Sequence, residues 1–480
     1  MFSQDEIERV LTAFNPWWTG TGREATPVWK RDAFTTLRKR VLNPPDRRAT
    51  MLSGARQVGK TTMIRQVIGD LLREGVSPAK VLYASFDTPI FRQAGPDAVL
   101  RAWRDRAGDA DGTEHIFLDE LQFVPHWGTW LKHQVDFWNG GRIVFTGSAL
   151  PLAEAGTESG AGRWHQIRID PLSFAEYLGF RGVSPPALPH SIPLAEMFDW
   201  QRREFFRAAE ATQPYVRHFS EYLLRGGYPG SASAESIRDA QDLMRDDIIE
   251  KVLKRDMSDF FGVRRLPDLE AVFHYICGHT GGMLNTQALS KCLGVTRPTL
   301  ERFLRLLEAA HLIRLLRPHG YGKEVLRGRV KAYPANPAFA PAILYRGEEL
   351  LDNPGELGPI AEGVVHSHLF AGSRDRGSRL SYWRDSRGHE VDFIVEEQGE
   401  TLPLEVKYRS GRPAARDLKG LRILCEKKGL RRAAVVTKSA EEFGLIPPED
   451  AGFPSGTQIL KIPAPALCLL TPSERADAAG

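Results

Sequence analysis

Five short apolar runs punctuate the first part of the chain: Ala49–Ser53, Val81–Asp87, His115–Asp119, Arg142–Thr146 and His165–Ile169. Each is continuous rather than alternating, and helical patterns separate them. Strands of that kind are buried on both faces, which predicts a parallel sheet covered by helices. A Pro-rich stretch over 183–193 ends the pattern and reads as a connector. From Leu194 to about Gly262 the text is mostly helical, interrupted by Arg225–Gly230. Farther on, Leu300, Phe303, Leu304 and Leu307 fall at i, i+3, i+4 and i+7, the core stripe of a helix. Thr296 suits its N-cap and Pro298 its first turn. A shorter helix, Asn285–Leu293, precedes it and ends at Gly294. The runs Ile313–Arg317 and Val330–Tyr333 flank a turn at Gly320–Gly322. Two short helices followed by such a hairpin describe a helix-turn-helix with a wing. Beyond Gly355 a helical stretch holding Glu362 leads into three strand-like runs, Leu380–Trp383, Val391–Val395 and Leu402–Tyr408. A helix near 417–428 and the run Ala433–Thr437 complete an αβββαβ order.

Chemistry enters at the end of the first run. Gly54, Ala55, Arg56, Gln57, Val58, Gly59, Lys60, Thr61 and Thr62 fit G-x-x-x-x-G-K-[ST], the loop that cradles phosphates. Its glycines let backbone N–H groups curl round phosphate oxygens with no Cβ in the way. Lys60 supplies a point charge, Thr61 a hydroxyl for Mg²⁺, and the following helix aims its N-terminal dipole at the anion. The third run ends in Asp119-Glu120. There Asp119 suits a carboxylate that holds Mg²⁺, and Glu120 suits a base that polarises the attacking water. The fourth ends in Thr146-Gly147-Ser148, where a hydroxyl, with Ser148 the candidate, is positioned to sense the γ-phosphate from a strand between the two motif strands. Arg163, before the fifth run, is a candidate arginine finger, in cis or across a subunit interface.

Length and charge narrow the field. A chain of 480 residues suggests two to four domains. It has no uncharged apolar run long enough to span a bilayer and no secretory leader pattern at its start. The four cysteines are far apart and form no CxxC pair, which favours free thiols in a cytoplasmic protein. The net charge is only +4, yet between Arg297 and Lys331 nine Lys or Arg stand against three Glu, a local excess of six. A basic stripe of this kind can follow a phosphate backbone. Arg297, Arg302 and Arg305 would face DNA from the helix, and Lys323, Arg327, Arg329 and Lys331 from the wing. The same charges also suit a solvated face on a module that only joins domains.

A second constellation lies near the C-terminus. Glu405 and Lys407 are two apart and share one strand face, while Asp392 comes from the neighbouring strand. Carboxylates converging on one spot repel unless a cation lies between them. Oxygen-only ligands favour Mg²⁺ or Mn²⁺, so Asp392 and Glu405 are candidate metal ligands, with Lys407 assisting catalysis and Glu362 a further ligand or base. An acid–base-paired hairpin and a nuclease fold that binds without cutting are the alternatives.

Taken together, Gly54–Thr61, Phe117–Glu120, Thr146–Ser148, Pro171–Tyr177, Gly226–Pro229, Tyr382–Arg384, Glu390–Phe393 and Leu404–Lys407 resemble a prokaryotic family. That family couples an AAA-type P-loop ATPase to a C-terminal domain of unknown function that is similar to PD-(D/E)xK nucleases. The resemblance spans nearly all of the chain beyond the first thirty residues, and it implies adenine rather than guanine as the base. The expected fold class is α/β: an AAA-like P-loop domain over 1–182, a helical lid and linker over 183–264, a winged helix over 265–335 and a restriction-endonuclease-like domain over 336–480. The expected activity is Mg²⁺-dependent ATP hydrolysis that works the C-terminal module on DNA, in a chain that acts alone or as a homo-oligomer. The alternative is an ATP-dependent switch or scaffold for a protein partner, with the nuclease-like domain inactive.

Overall fold

In the computed structural model the five apolar runs become β1 (Ala49–Ser53), β2 (Val81–Ser85), β3 (Glu114–Asp119), β4 (Gly141–Gly147) and β5 (Trp164–Arg168). The residues described are 2–20, 26–108, 111–138, 140–147, 162–188, 192–259, 262–322, 325, 328–409, 415–447 and 452–471. The strands form one parallel sheet in the order β2-β3-β4-β1-β5. β4 therefore lies between the loop strand β1 and the acidic strand β3. Ser53 pairs with Gly147, and Leu118 with Phe145, so the phosphate-loop sequence, Asp119 and Thr146 emerge on the same sheet edge. Met51, Leu82, Trp103, Leu118, Trp127 and Phe145 pack with the helices that cover one face.

β2 is an edge strand, and Asn15-Pro16-Trp17-Trp18 covers it. The buried Asn15 amide donates to the Tyr83 carbonyl at 2.8 Å and accepts from the Tyr83 N–H at 2.7 Å, as a neighbouring strand would. The indole N–H groups of Trp17 and Trp18 both donate to the Val81 carbonyl. Open strand edges invite pairing with other chains, and this segment closes that one.

The chain divides into two compact units at Asp170 and Pro171, ahead of the boundary expected at 182. Residues 171–182 go with the second unit because Phe174 packs against Phe219 and its N–H donates to His368 Nε2 at 3.0 Å. The segments expected as lid, winged helix and nuclease-like domain all belong to that unit. Its helices include Leu266–Gly278, Thr286–Leu293 and Arg297–Ala309, followed by the hairpin β6 (Ile313–Leu316) and β7 (Lys331–Pro334). β7 also forms a bridge from Lys331 to Met283. The long helix Pro354–Asp375 then precedes β8 (Arg379–Arg384), β9 (Glu390–Glu397), β10 (Glu400–Lys407), the helix Lys419–Lys428 and β11 (Arg432–Thr437). β12 (Gly444–Ile446) and β13 (Gln458–Pro463) extend this sheet to the order β12-β13-β11-β10-β9-β8. Among the described residues no helix is long and apolar enough to cross a membrane, and the four cysteines are free thiols.

Candidate functional site

The turn after β1 is built by backbone constraints. A Cβ on Gly54 would collide with the Ile169 carbonyl oxygen, so only glycine lets the loop leave the strand there. Gln57 and Gly59 both adopt positive φ, 60° and 99°, and Gly59 caps the helix Lys60–Arg73 with no side-chain hydrogen bond to its first turn. That helix is fixed by Met63, Ile64, Val67, Ile68 and Leu71, all buried. Its N-terminus thus presents backbone donors to the loop, the arrangement that attracts phosphate.

Four elements meet around Asp119. Thr61 Oγ1 donates to Asp119 Oδ2 at 2.6 Å, and Tyr83 OH donates to the same oxygen at 2.9 Å. The Thr146 hydroxyl donates to Oδ1 and accepts from the Glu120 N–H at 2.9 Å. Burial, with the Asp119 charge beside it, pushes the Tyr83 phenol well above its ordinary range, so it stays a donor. Lys60 is only 4% exposed, and its ammonium donates to the Gly54 and Ala55 carbonyls at 2.9 and 2.7 Å. Glu120 has φ 53°, an uncommon backbone for a non-glycine and one that aims its carboxylate beside Lys60 and Asp119. Burial raises its pKa, Lys60 opposes that, and Asp119 adds to it. The Gln122 amide donates to the same carboxylate. A hydroxyl and a carboxylate within hydrogen-bond reach form the oxygen donor set that suits Mg²⁺.

Two expected residues are placed otherwise. Arg163 precedes β5 at the opposite end of the sheet: Trp164 pairs with Ala49, whereas the loop leaves β1 beyond Ser53. At about 3.3 Å per residue that separates it from the loop by roughly 15 Å. Its guanidinium instead pairs with Asp136 at 3.3 Å, so a finger acting in cis is corrected. Ser148 lies outside the described residues, and the hydroxyl that reaches Asp119 from this strand end is Thr146. Arg31, Tyr83 and Gln122 were not anticipated. Arg31 is buried and braces the loop, donating to the Val58 carbonyl at 2.7 Å and the Asp170 carbonyl at 2.9 Å.

In the second unit the structure brings Glu362, Asp392, Glu405 and Lys407 together. Glu405 and Lys407 share a face of β10, with Lys407 Nζ 2.6 Å from Glu405 Oε1. Pairing of β9 with β10 ends at Phe393 and Leu404, and just beyond it Asp392 Oδ2 accepts the Val406 N–H at 2.9 Å. Glu362 comes from the long helix and accepts from Tyr333 OH at 2.7 Å. Burial first, then the Asp392 charge, pushes the Glu362 carboxyl up to about 7 and that of Glu405 up to about 8. His366, one turn on from Glu362, stacks on Tyr333 with centroids 4.1 Å apart, and burial holds its pKa far below the ordinary value.

Lys331 also enters this cluster, against expectation. Read as a wing residue, it was expected to touch DNA phosphate. It is 2% exposed, and its ammonium lies 2.6 Å from Glu390 Oε1, 3.5 Å from Asp392 Oδ1 and 3.7 Å from Glu362 Oε1. Burial opposes its charge, but Asp392, Glu362 and Glu390 outweigh that and raise its pKa. Among the described residues no group of three or more His, Cys, Asp and Glu is arranged to hold a metal ion. In this state the metal expected at Asp392 and Glu405 does not fit: the chain's own ammonium already lies among the carboxylates.

The basic helix keeps its expected exposure. Arg297, Arg302 and Arg305 are exposed on Arg297–Ala309, opposite the buried Leu300, Phe303, Leu304 and Leu307. Arg297 pairs with Glu301 at 2.9 Å. Lys323 and Arg327 lie outside the described residues, and Arg329 is exposed.

Comparison with known proteins matches these regions separately. Residues 46–178 match a family described as AAA domain. Two families described as domains of unknown function, DUF8612 and DUF4143, match residues 216–349 and 357–454. An uncharacterized protein of Methanocaldococcus jannaschii is 24% identical over 374 residues, covering 76% of this chain and 77% of its own length. One of Haemophilus influenzae is 23% identical over 370 residues, covering 75% and 82%. Among solved structures, the Aeropyrum pernix Orc1 protein in complex with DNA aligns over 66% of this chain and 94% of its own with 12% identity and a TM-score of 0.30. Residues 46–178, which carry the phosphate-loop sequence, are thus similar to AAA domains.

Proposed function

We propose that the protein hydrolyses ATP with Mg²⁺ and uses the nucleotide cycle to work its second unit on DNA. The observation that carries the ATPase reading is the 2.6 Å hydrogen bond from Thr61 to Asp119, which joins the loop to the acidic strand at the point where a metal would be held. Thr61 and Asp119 would hold Mg²⁺ with the nucleotide, and the ion supplies charge neutralisation at the phosphate oxygens. Lys60, resting on neutral carbonyls, turns to the β- and γ-phosphates. Glu120 accepts the proton of the attacking water, and its raised pKa brings it closer to that of a useful base. Thr146 links Asp119 to the Glu120 backbone, so movement at the metal is felt at the base.

For the second unit, the exposed Arg297, Arg302 and Arg305 support a winged helix that follows phosphate, and Glu362, Asp392, Glu405 and Lys407 support a nuclease-like site. Lys331 among the carboxylates favours a second reading, in which the nuclease-like domain is silent and the protein is an ATP-dependent switch for a partner protein. Turnover with and without duplex DNA separates them. DNA stimulation supports the first reading. Slow hydrolysis unaffected by DNA supports the switch. Loss of neither binding nor turnover in Lys60→Ala would overturn both.

A further inference from the structure

We propose that Tyr83 is a positioning residue for the Asp119 carboxylate, and that Asn15 of the N-terminal arm sets its aim, so that the arm governs how tightly Mg²⁺ is held with the nucleotide. The inference rests on the ATPase reading and goes beyond it, since the phosphate-loop pattern calls for neither residue.

Asp119 takes three hydroxyls, and they come from different places. Those of Thr61 and Thr146 belong to the helix after the loop and to β4. The third reaches it from β2: Tyr83 OH donates to Oδ2 at 2.9 Å, the oxygen that also takes Thr61. In the parallel register Tyr83 pairs with Phe117 and Ser85 with Asp119. Tyr83 and Asp119 therefore leave the same face of the sheet two positions apart, a gap that the long phenol spans. Tyr83 is 2% exposed, and burial beside the Asp119 charge keeps its proton on. A carboxylate that serves a metal is itself aimed by hydrogen bonds, and those outer donors tune the affinity.

The arm holds Tyr83 in turn. β2 has a strand partner on one side only, so on the other its position at Tyr83 rests on Asn15. The fully buried Asn15 amide brackets the Tyr83 N–H and carbonyl, and it also donates to the Leu11 carbonyl at 2.7 Å. It thereby ties the Tyr83 backbone to the last turn of the helix Gln4–Phe14. The Phe14 ring lies 6.1 Å from the Tyr83 ring, and the Arg65 guanidinium, from the helix that the loop opens, lies 5.4 Å from it. A shift of the arm therefore moves the hydroxyl that aims Asp119.

The test is Mn²⁺ binding to the full chain carrying a non-hydrolysable ATP analogue, read by electron paramagnetic resonance, with analogue binding in EDTA measured beside it. Tyr83→Phe, which removes one oxygen and keeps the ring, should weaken Mn²⁺ by about 10–100-fold and leave metal-free analogue affinity within about twofold. Asn15→Ala should weaken Mn²⁺ less, and it should add little to the loss already present in Tyr83→Phe, because both act through one hydroxyl. Unchanged Mn²⁺ affinity in Tyr83→Phe would overturn the proposal. An equal loss of metal-free binding would overturn it too, since a residue that only holds the fold weakens both. A fully additive loss in the double variant would remove Asn15 from the relay. Should Asn15→Ala fail to fold, Asn15→Ser, which keeps a donor and an acceptor, takes its place. A wild type that takes no Mn²⁺ with the analogue would overturn the ATPase reading itself, and this proposal with it.

Discussion

Two lysines stand beside acidic groups in this chain, and they are held in opposite ways. Lys60 rests on two peptide carbonyls, while nearby Asp119 is satisfied by the hydroxyls of Thr61, Tyr83 and Thr146. Lys331 rests on the carboxylates themselves. A cation on neutral dipoles gains when a phosphate arrives. A cation already among three carboxylates has little to gain. The first site is poised for a charged ligand and the second is closed to one, although both bring together oxygen donors and lysine.

Breaking each lysine should therefore have different consequences. Lys60→Ala should lower ATP turnover by about 100-fold or more, since the charge that steadies the transferring phosphate is lost; a coupled phosphate-release assay reads this. Glu120→Gln should slow hydrolysis by about 100-fold while ATP still binds, and filter binding shows the trapped nucleotide. If turnover survives that change, Glu120 is not the base. Lys331→Met should destabilise the second unit by about 3–5 kcal/mol in urea unfolding, because the buried acids lose their counter-charge. Lys60→Ala should leave the urea curve nearly unmoved by comparison. Asn15→Ala should cost about 1–3 kcal/mol, since it leaves the Tyr83 N–H and carbonyl unpaired at the sheet edge. Replacing Arg297, Arg302 and Arg305 together should reduce the salt dependence of duplex binding by about 2–3 in slope, and an unchanged slope would remove DNA from that helix.

The sequence made the first site legible because its parts are local. The loop follows a strand and opens a helix, so Gly54 to Thr62 could be read without knowing the fold. Asp119 and Glu120 were legible as a strand end. Tyr83, Thr146 and Arg31 were harder, since they reach the loop or Asp119 only after the strand order is set, and a lone tyrosine or arginine gives no pattern. Arg163 was misplaced for a related reason. Proximity in sequence to β5 says nothing about which end of the sheet a residue occupies, and the parallel register decides it. In the second unit the spacing of Glu405 and Lys407 gave the shared face, and the register brought Asp392 alongside. Lys331 was misread because a basic residue in a hairpin looks the same whether the hairpin faces solvent or acid. Only packing distinguishes a phosphate contact from an internal counter-ion. β13 and the helix Ala464–Leu470 lacked a signal because their apolar runs are short and buried all round.

The most direct measurement is a crystal structure of the protein with a non-hydrolysable ATP analogue and Mg²⁺. The expected result is a triphosphate in the Gly54–Thr61 turn, with Mg²⁺ about 2.1 Å from Thr61 Oγ1 and the Asp119 carboxylate held to it directly or through water. An empty turn, or a bound nucleotide with Thr61 still hydrogen-bonded to Asp119 and no ion between them, would contradict it.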